Sequence, residues 1–244
     1  MPLPPLPGRC VHCLEFHEKL TWDHVFPAAW YPDTTPEGLE KWKVPSCQPC
    51  NSANGESENI LMNRIGLCLD PSSPQAAGIA AKAMRSVDPS SGKSPRDAAA
   101  RAGKQRALMA QMSHFAERGI PRDSVFPGFG PEEWPNEPLL AIPVPKRAID
   151  RLVKKIVRGI TYVEDGKFIE DTHVIEPQFM HEESAGFLHE QFTRFGKRFE
   201  RKPGLVIERC VTPEDGVSSM YRIEIWGRLC VYASVTQRTR NAVA

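Results

Sequence analysis

The sequence lacks any long hydrophobic run. No stretch of its 244 residues approaches the ~20 consecutive apolar residues that a transmembrane helix needs. The first residues, MPLPPLPGRC, also lack the charged start and the apolar stretch of a secretory signal peptide. We therefore expect a cytoplasmic protein that has no membrane partner.

The chain also has little net charge, +1 at pH 7, but its charges are unevenly distributed. Residues 1–70 carry 5 Lys/Arg and 9 Asp/Glu, whereas residues 71–158 carry 15 Lys/Arg and 8 Asp/Glu. An acidic stretch next to a basic one suits a carboxylate-lined metal site beside a surface that meets phosphate. Ordinary solvated helix faces would give the same imbalance, so both interpretations stay open.

The seven cysteines would leave one unpaired in a disulfide framework. Two Cys-x-x-Cys pairs, Cys10/Cys13 and Cys47/Cys50, can instead supply four thiolates to a structural zinc ion. The 33 residues between the pairs exceed the common spacing of about 15 to 20, so something is built into the gap. A redox role for one pair is the minor alternative. The remaining cysteines lie singly among apolar residues, which predicts buried, inert thiols: Cys68, Cys210 and Cys230.

Within the gap, LTWDHVFP indicates a strand from Leu20 to Val25 that Pro27 ends. Asp23 and His24 would point to opposite sides of an ideal strand, so joint work at one site requires a twist or a bulge. A carboxylate suits Mg²⁺ or Mn²⁺, and a neutral imidazole suits general-base work near pH 7. For this dipeptide alone, a turn-region Asp and a surface His are the simpler interpretation.

The segments CVHC, TWDHVFP and CQPCN, in that order, resemble the HNH endonuclease superfamily with the ββα-metal finger, in its zinc-stapled form. That form includes phage Holliday-junction resolvases of the endonuclease VII type. The match covers residues 10 to about 65. The resemblance implies an N-terminal HNH nuclease module over residues 1–70 that hydrolyses phosphodiester bonds, with DNA as the expected substrate.

The resemblance also implies roles for individual residues. A structural Zn²⁺ would be held by four thiolates: Cys10, Cys13, Cys47 and Cys50. Asp23 and Asn51 would hold a catalytic divalent ion, Mg²⁺ or Mn²⁺, and His24 would be the general base. Hydrolysis needs a deprotonated water, a screened phosphate and a stabilised leaving oxygen, and such a set can supply all three.

Two positions depart from the family pattern. Trp42 stands where the middle Asn of the HNH signature would support the base, and no Lys follows Asn51 in NSANGESEN. What orients His24 therefore stays open, with a backbone carbonyl as one candidate. Five polar neighbours of these motifs are expected to face solvent, with support of the metal or contact with phosphate as the alternative: His12, His17, Asn54, Glu56 and Glu58.

Three further segments follow the N-terminal module. Residues 71–118 are predicted to be a basic helical segment, in which DPSS at 70–73 and at 88–91 each open a helix, the second running from about Pro95 to Glu117. Residues 119–145 are rich in Pro and Gly and predict an extended connector. Residues 146–244 are predicted to be an α+β region of unassigned role.

That last region begins with PKRAIDRLVKKIVRGI, which predicts a helix from Pro145 to near Gly159 with one apolar stripe. Five basic residues fall largely off the stripe and form either a solvated face or a face that contacts phosphate: Arg147, Arg151, Lys154, Lys155 and Arg158. Near the C-terminus, GLVIERCV and MYRIEIWGRLCVYASV flank the turn-forming TPEDGVSS and predict an antiparallel meander.

The fold class expected from these patterns is α+β, with an N-terminal zinc-stapled ββα-metal (HNH) module, then helices, then a C-terminal α+β region with the meander. The expected function is a metal-dependent HNH endonuclease with nucleic acid as its partner. The absent middle Asn and Lys motivate the alternative, a non-catalytic zinc-ribbon module that binds nucleic acid or a protein partner. The oligomeric state stays open.

Overall fold

The computed structural model describes residues 4–114, 125–126, 129, 139–180 and 185–238. Most of the predicted connector at 119–145 therefore lies outside the described residues. None of the helices in the described ranges is both long and apolar enough to cross a bilayer.

The N-terminal part consists of two small antiparallel hairpins followed by a long helix: β1 (Gly8–Arg9), β2 (Phe16–His17), β3 (Thr21–His24), β4 (Lys43–Ser46) and α1 (Gln48–Ile65). The strand predicted at Leu20–Val25 is thus present as β3. Helix α1 begins directly after β4, with Cys47 as its N-cap residue and Pro49 in its first turn, where proline lacks only an N–H that the helix would leave unpaired.

Two helices and a short hairpin come next: α2 (Ile79–Val87), α3 (Pro95–Met109), β5 (Ser113–His114) and β6 (Leu140–Ala141). The DPSS prediction was wrong in detail. Asp70 and Asp88 accept hydrogen bonds from the backbone N–H groups two residues later. Asp88 thereby caps a short 3₁₀-helix, Pro89–Ser91, and neither residue caps an α-helix. Ser94 caps α3, which ends well before the predicted Glu117.

Helix α4 (Lys146–Asp165) carries the predicted apolar stripe, and all six of its members are buried: Ile149, Leu152, Val153, Ile156, Val157 and Ile160. The predicted end near Gly159 was wrong, because the helix continues to a left-handed cap at Gly166. Gly159 serves packing instead. A Cβ atom there would lie 2.7 Å from Val25 Cγ2, so the missing side chain lets α4 approach the end of β3.

The C-terminal part is a five-stranded antiparallel sheet in the order β7-β11-β10-β9-β8, with helix α5 (Gly186–Phe195) before β8. Its strands are β7 (His173–Gln178), β8 (Lys197–Arg201), β9 (Leu205–Val211), β10 (Ser219–Ile225) and β11 (Leu229–Gln237). The predicted meander is confirmed as β9 to β11, and β8 and β7 extend it at its two edges. A turn at Trp226 and Gly227, both with positive φ, splits the long apolar run into two strands.

Helix α4 lies between the sheet and the N-terminal part. Tyr221 of β10 and Thr161 of α4 share a hydrogen bond of 2.7 Å between their hydroxyl groups. On the N-terminal side, Trp226 Nε1 donates to the carbonyl of Trp30 at 2.8 Å, and the two rings are 4.7 Å apart. One buried apolar cluster therefore includes residues from both ends of the chain. The mixed α and β fold class is as predicted, and the domain boundaries stay a prediction.

Candidate metal centre and neighbouring site

The four cysteines of the two Cys-x-x-Cys pairs lie together. Cys10 and Cys13 lie in the turn between β1 and β2, and Cys47 and Cys50 lie at the start of α1. All four Sγ atoms are within 4.8 Å of one another, and those of Cys13 and Cys47 are 3.8 Å apart. Four Zn–S bonds of ~2.3 Å in a tetrahedron give S···S edges of about 3.8 Å. The cysteines are therefore spaced to hold a metal ion such as zinc.

The backbone prepares one of these thiols for ionisation. Burial opposes ionisation of Cys10, but hydrogen bonds from the backbone N–H groups of Cys13, Cys47 and His12 outweigh burial and lower the pKa to about 7. Burial raises the pKa of Cys13 to about 11 and also raises that of Cys50. A bound cation would therefore have to drive the deprotonation of these two thiols.

Asp23 lies at the centre of a buried network beside this cluster. Its side chain is only 5% exposed. Oδ1 accepts a hydrogen bond from Lys155 Nζ at 2.8 Å, and Oδ2 accepts one from Asn54 Nδ2 at 2.9 Å. His12 Nε2 lies 3.1 Å from the same Oδ2. Burial alone would raise the pKa of Asp23, but His12, Lys155 and Asn54 together hold it below its ordinary value.

Lys155 brings α4 into the network. Its side chain is 2% exposed, and its Nζ atom contacts Glu58 Oε1 of α1 as well as Asp23. Burial raises the pKa of Glu58, although the charge of Lys155 opposes that rise. A lysine this deeply buried requires partners of opposite charge, and two carboxylates supply them.

Asn51 lies at the same helix–strand interface as Asp23. The Nδ2 atom of Asn51 donates to Thr21 Oγ1 at 3.0 Å. Asn54 follows Asn51 by one turn of α1 and donates to Asp23, which follows Thr21 by two residues in β3. Three helical residues advance ~4.5 Å and two strand residues ~6.6 Å, so the two pairs form successive rungs between α1 and β3. Among the described residues, no hydrogen bond joins Asn51 to Asp23 directly.

His24 ends β3 and is partly buried. The register of β3 on β4 is continuous from Thr21 to His24, so no bulge turns the imidazole to the side of Asp23. Burial lowers the pKa of His24, and the nearby charges of Lys43 and Lys155 lower it further. The neutral imidazole is therefore favoured at pH 7. Among the described residues, the ring of His24 has no hydrogen-bond partner, so none of their side chains takes over the orienting role of the missing Asn.

A cavity of about 540 Å³ opens beside the Asp23 network. One wall comes from the N-terminal part: His12, Cys50 and Asn54. The other wall comes from α4 and contains six basic side chains and one acidic one: Lys146, Arg147, Asp150, Arg151, Lys154, Lys155 and Arg158. His24 and Asn51 are not among the described residues that line this cavity. The cavity therefore has the charge to hold a polyanion, with the proposed base outside its lining.

Asp23 as arranged does not fit the divalent ion that the family pattern implies. A carboxylate offers about four acceptor sites, and here three donors, from Lys155, His12 and Asn54, lie against its two oxygens. Mg²⁺ also demands near-ideal octahedral geometry at ~2.0–2.1 Å from its ligand oxygens. The lysine ammonium already holds the position next to Oδ1. The four cysteines, in contrast, lie close enough together to hold a metal ion such as zinc.

Several neighbours were wrongly expected to face solvent. His12, Asn54 and Glu58 belong to the buried network, whereas Glu56 is exposed and His17 lies 3.5 Å from the Cys13 sulfur. The burial of Lys155 could have been inferred from the sequence. Lys155 follows Leu152 by three residues and precedes Gly159 by four, so it lies at the edge of the buried stripe. The other cysteines are less buried than predicted: Cys68 is exposed, and Cys210 and Cys230 are partly exposed.

Comparison of the chain with protein-family models, with curated proteins and with solved structures found no match.

Proposed function

We propose that this protein binds nucleic acid and hydrolyses its phosphodiester bonds as an HNH-type endonuclease, with DNA as the expected substrate. The observation that carries the proposal is the basic cavity beside the cysteine cluster and Asp23. Nucleic acid carries one negative charge per nucleotide, and neutralising these phosphates with Lys and Arg supplies most of the affinity of such proteins. A wall that contains six basic side chains and one acidic one suits that ligand.

The order of the surrounding elements supports the catalytic part of the proposal. Two antiparallel strands, β3 and β4, precede α1, which begins at the second cysteine pair. This is the order of elements in the ββα-metal finger that the sequence resembles. A zinc ion on the four cysteines would hold the β1/β2 turn against the start of α1, and so fix where Asn51 and Asn54 meet β3.

In this proposal the residues of the chain divide the work. The Lys and Arg side chains of α4 hold the phosphate backbone. His24 accepts the proton of the attacking water, because its lowered pKa favours the neutral form. Because Asp23 does not fit a divalent ion while Lys155 is bound to it, we assign no step to Mg²⁺ or Mn²⁺. Dependence on these ions is an expectation from the resemblance, which cleavage assays measure directly.

A specific observation favours a second function, binding of nucleic acid without cleavage. The carboxylate of Asp23 is engaged by three partners, and His24 lies outside the cavity lining. In this case the four cysteines would be a purely structural staple, and the bases of α4 would bind phosphate in a salt-dependent manner.

Plasmid nicking separates the two functions. We expect the purified protein to nick supercoiled DNA, and His24→Ala to slow nicking by about 10²–10⁴-fold, the usual contribution of a general base. The matched control is His189→Ala, because His189 lies in α5 and bonds to Tyr232 of the sheet. Arms with Mg²⁺, with Mn²⁺ and with neither added ion establish the metal requirement, and RNA and branched DNA establish the substrate.

The results divide cleanly. Nicking by His24→Ala at the wild-type rate would show that the base assignment is wrong. Salt-sensitive binding by a wild-type protein that cuts nothing under any ion would establish the second function. A protein that neither binds nor cuts nucleic acid would contradict both functions.

A further inference from the structure

We infer that the ammonium group of Lys155 is the resident cation of the Asp23 site, in the place that the HNH pattern gives to a divalent metal ion. The inference deepens the proposed function, on which its meaning for phosphodiester chemistry rests. It assigns a role to α4, which lies outside the segment that resembles the HNH family. Its test uses no nucleic acid, so the inference and the proposed function can fail separately.

The first argument is the chemistry of the ligands around the ammonium. Lys155 Nζ lies between two carboxylates, Asp23 of β3 and Glu58 of α1, and its side chain is 2% exposed. Carboxylate oxygens are the donors that Mg²⁺ and Mn²⁺ take in proteins. The ammonium group of Lys155 therefore occupies a site with metal-type ligands. Because this cation is part of the chain, it does not have to bind from solution.

The second argument is that the charge of Lys155 would repel a second cation at Asp23. An ion ~2.1 Å from Asp23 Oδ1 could lie at most about 4.9 Å from Lys155 Nζ, which is itself 2.8 Å from that oxygen. Two cations this close repel strongly where the side chains are buried, and here Lys155 is 2% and Asp23 5% exposed. The other carboxylate oxygen, Oδ2, is already in contact with His12 and Asn54. A divalent ion therefore requires Lys155 to leave.

The third argument connects this cation to the cavity. Arg151 and Arg158 lie four residues before and three residues after Lys155 in α4, so the three side chains project from one side of the helix. Arg151 and Arg158 line the cavity together with Lys155. The same helix thus holds Asp23 and presents the bases that would meet phosphate.

The test is a titration of the zinc-loaded protein with Mn²⁺, followed by the electron paramagnetic resonance signal of the free ion. Wild type and Asp23→Asn are expected to take up Mn²⁺ equally weakly. Lys155→Met removes the charge and leaves an unbranched side chain that is one heavy atom shorter. This variant is expected to bind Mn²⁺ about tenfold more tightly, or better. Adding Asp23→Asn to Lys155→Met should abolish the gain.

The matched control is Lys154→Met, because Lys154 is the adjacent base of α4 but is exposed, and it should gain no Mn²⁺ site. Mn²⁺ uptake by wild type that Asp23→Asn removes would overturn the inference. So would a Lys155→Met protein that keeps its zinc and its circular dichroism spectrum but gains no Mn²⁺ binding. If Lys155→Met does not fold, the comparison of wild type with Asp23→Asn decides alone.

Discussion

The Sγ atom of Cys10 accepts hydrogen bonds from the backbone N–H groups of His12 and Cys47 at 3.4 and 3.3 Å. Such bonds stabilise a thiolate, which is the form that binds metal. His12, two residues after Cys10, places its ring against Oδ2 of Asp23, and Lys155 binds Oδ1 of the same carboxylate. The same short turn therefore serves the cysteine cluster through its backbone and the buried carboxylate through a side chain.

Replacing Cys47 tests the cysteine cluster. We expect Cys47→Ser to lower the zinc content from about one ion per chain to near zero, since a structural site needs all four ligands. We also expect it to unfold at a lower temperature, because metal binding free energy is part of the folding free energy. Zinc is measured by mass spectrometry of the metal. Cys68→Ser is the control, since Cys68 is exposed and lies outside the cluster. A full zinc content in Cys47→Ser would contradict the assignment.

Helix α4 carries three different kinds of surface. Its apolar stripe packs on the sheet, its bases line the cavity, and Gly159 contacts the hairpin of β3 and β4 through Val25. The glycine is needed because the three carbon atoms nearest to an added Cβ, all of Val25, would lie between 2.7 and 3.2 Å from it. The close approach of α4 to β3 is also what allows Lys155, one helical turn earlier, to reach Asp23.

A pair of glycine substitutions tests this close approach. We expect Gly159→Ala to lower the free energy of unfolding by about 1–3 kcal/mol, the usual cost of overpacking a core. Gly103→Ala in α3 is the matched control, because its added Cβ would meet no atom within 4 Å. There the gain in helix propensity should stabilise the protein by about 0.5–1 kcal/mol. Urea denaturation measures both. A stabilised Gly159→Ala would show that α4 and β3 are not in close contact.

Across the described residues, the cysteine-bearing part and the sheet share one apolar core. Trp226 is fully buried although its φ is +57°, a conformation that is strained for a bulky residue. Its indole N–H bond to the Trp30 carbonyl and its contact with the Trp30 ring offset that strain. Two segments 196 residues apart in the sequence are thereby joined.

This shared core predicts a single cooperative unfolding transition. In urea, loss of helical circular dichroism and release of zinc to a chromogenic chelator should have the same midpoint, as two-state unfolding requires. Trp226→Ala should shift both midpoints together and lower the free energy of unfolding by about 3–5 kcal/mol. Phe187→Ala, at a side chain that is 70% exposed, should shift neither. Zinc release at a clearly different urea concentration would show that the two parts unfold separately.

Features that depend on neighbours in the sequence could be predicted from it. The Cys-x-x-Cys spacing brings two thiols of each pair together, and the 3.6-residue period predicted the buried stripe of α4. The strand-like segments on either side of TPEDGVSS predicted the meander. The errors also have local causes. Gly159 has the residue type of a helix end, and only its contact with Val25 shows why a glycine is needed inside the helix.

The partners of Asp23 could not be predicted, because they come from three separate segments of the chain: the turn between β1 and β2, helix α1 and helix α4. Lys155 is 132 residues from Asp23 in the sequence, and no periodicity relates positions that far apart. Local sequence therefore determined that a cysteine cluster, a strand bearing Asp23 and His24, and a basic amphipathic helix would form. Tertiary packing decided that a lysine of this helix, desolvated between two carboxylates, would be the cation at Asp23, since a buried charge persists only where folding brings its counter-charges to it.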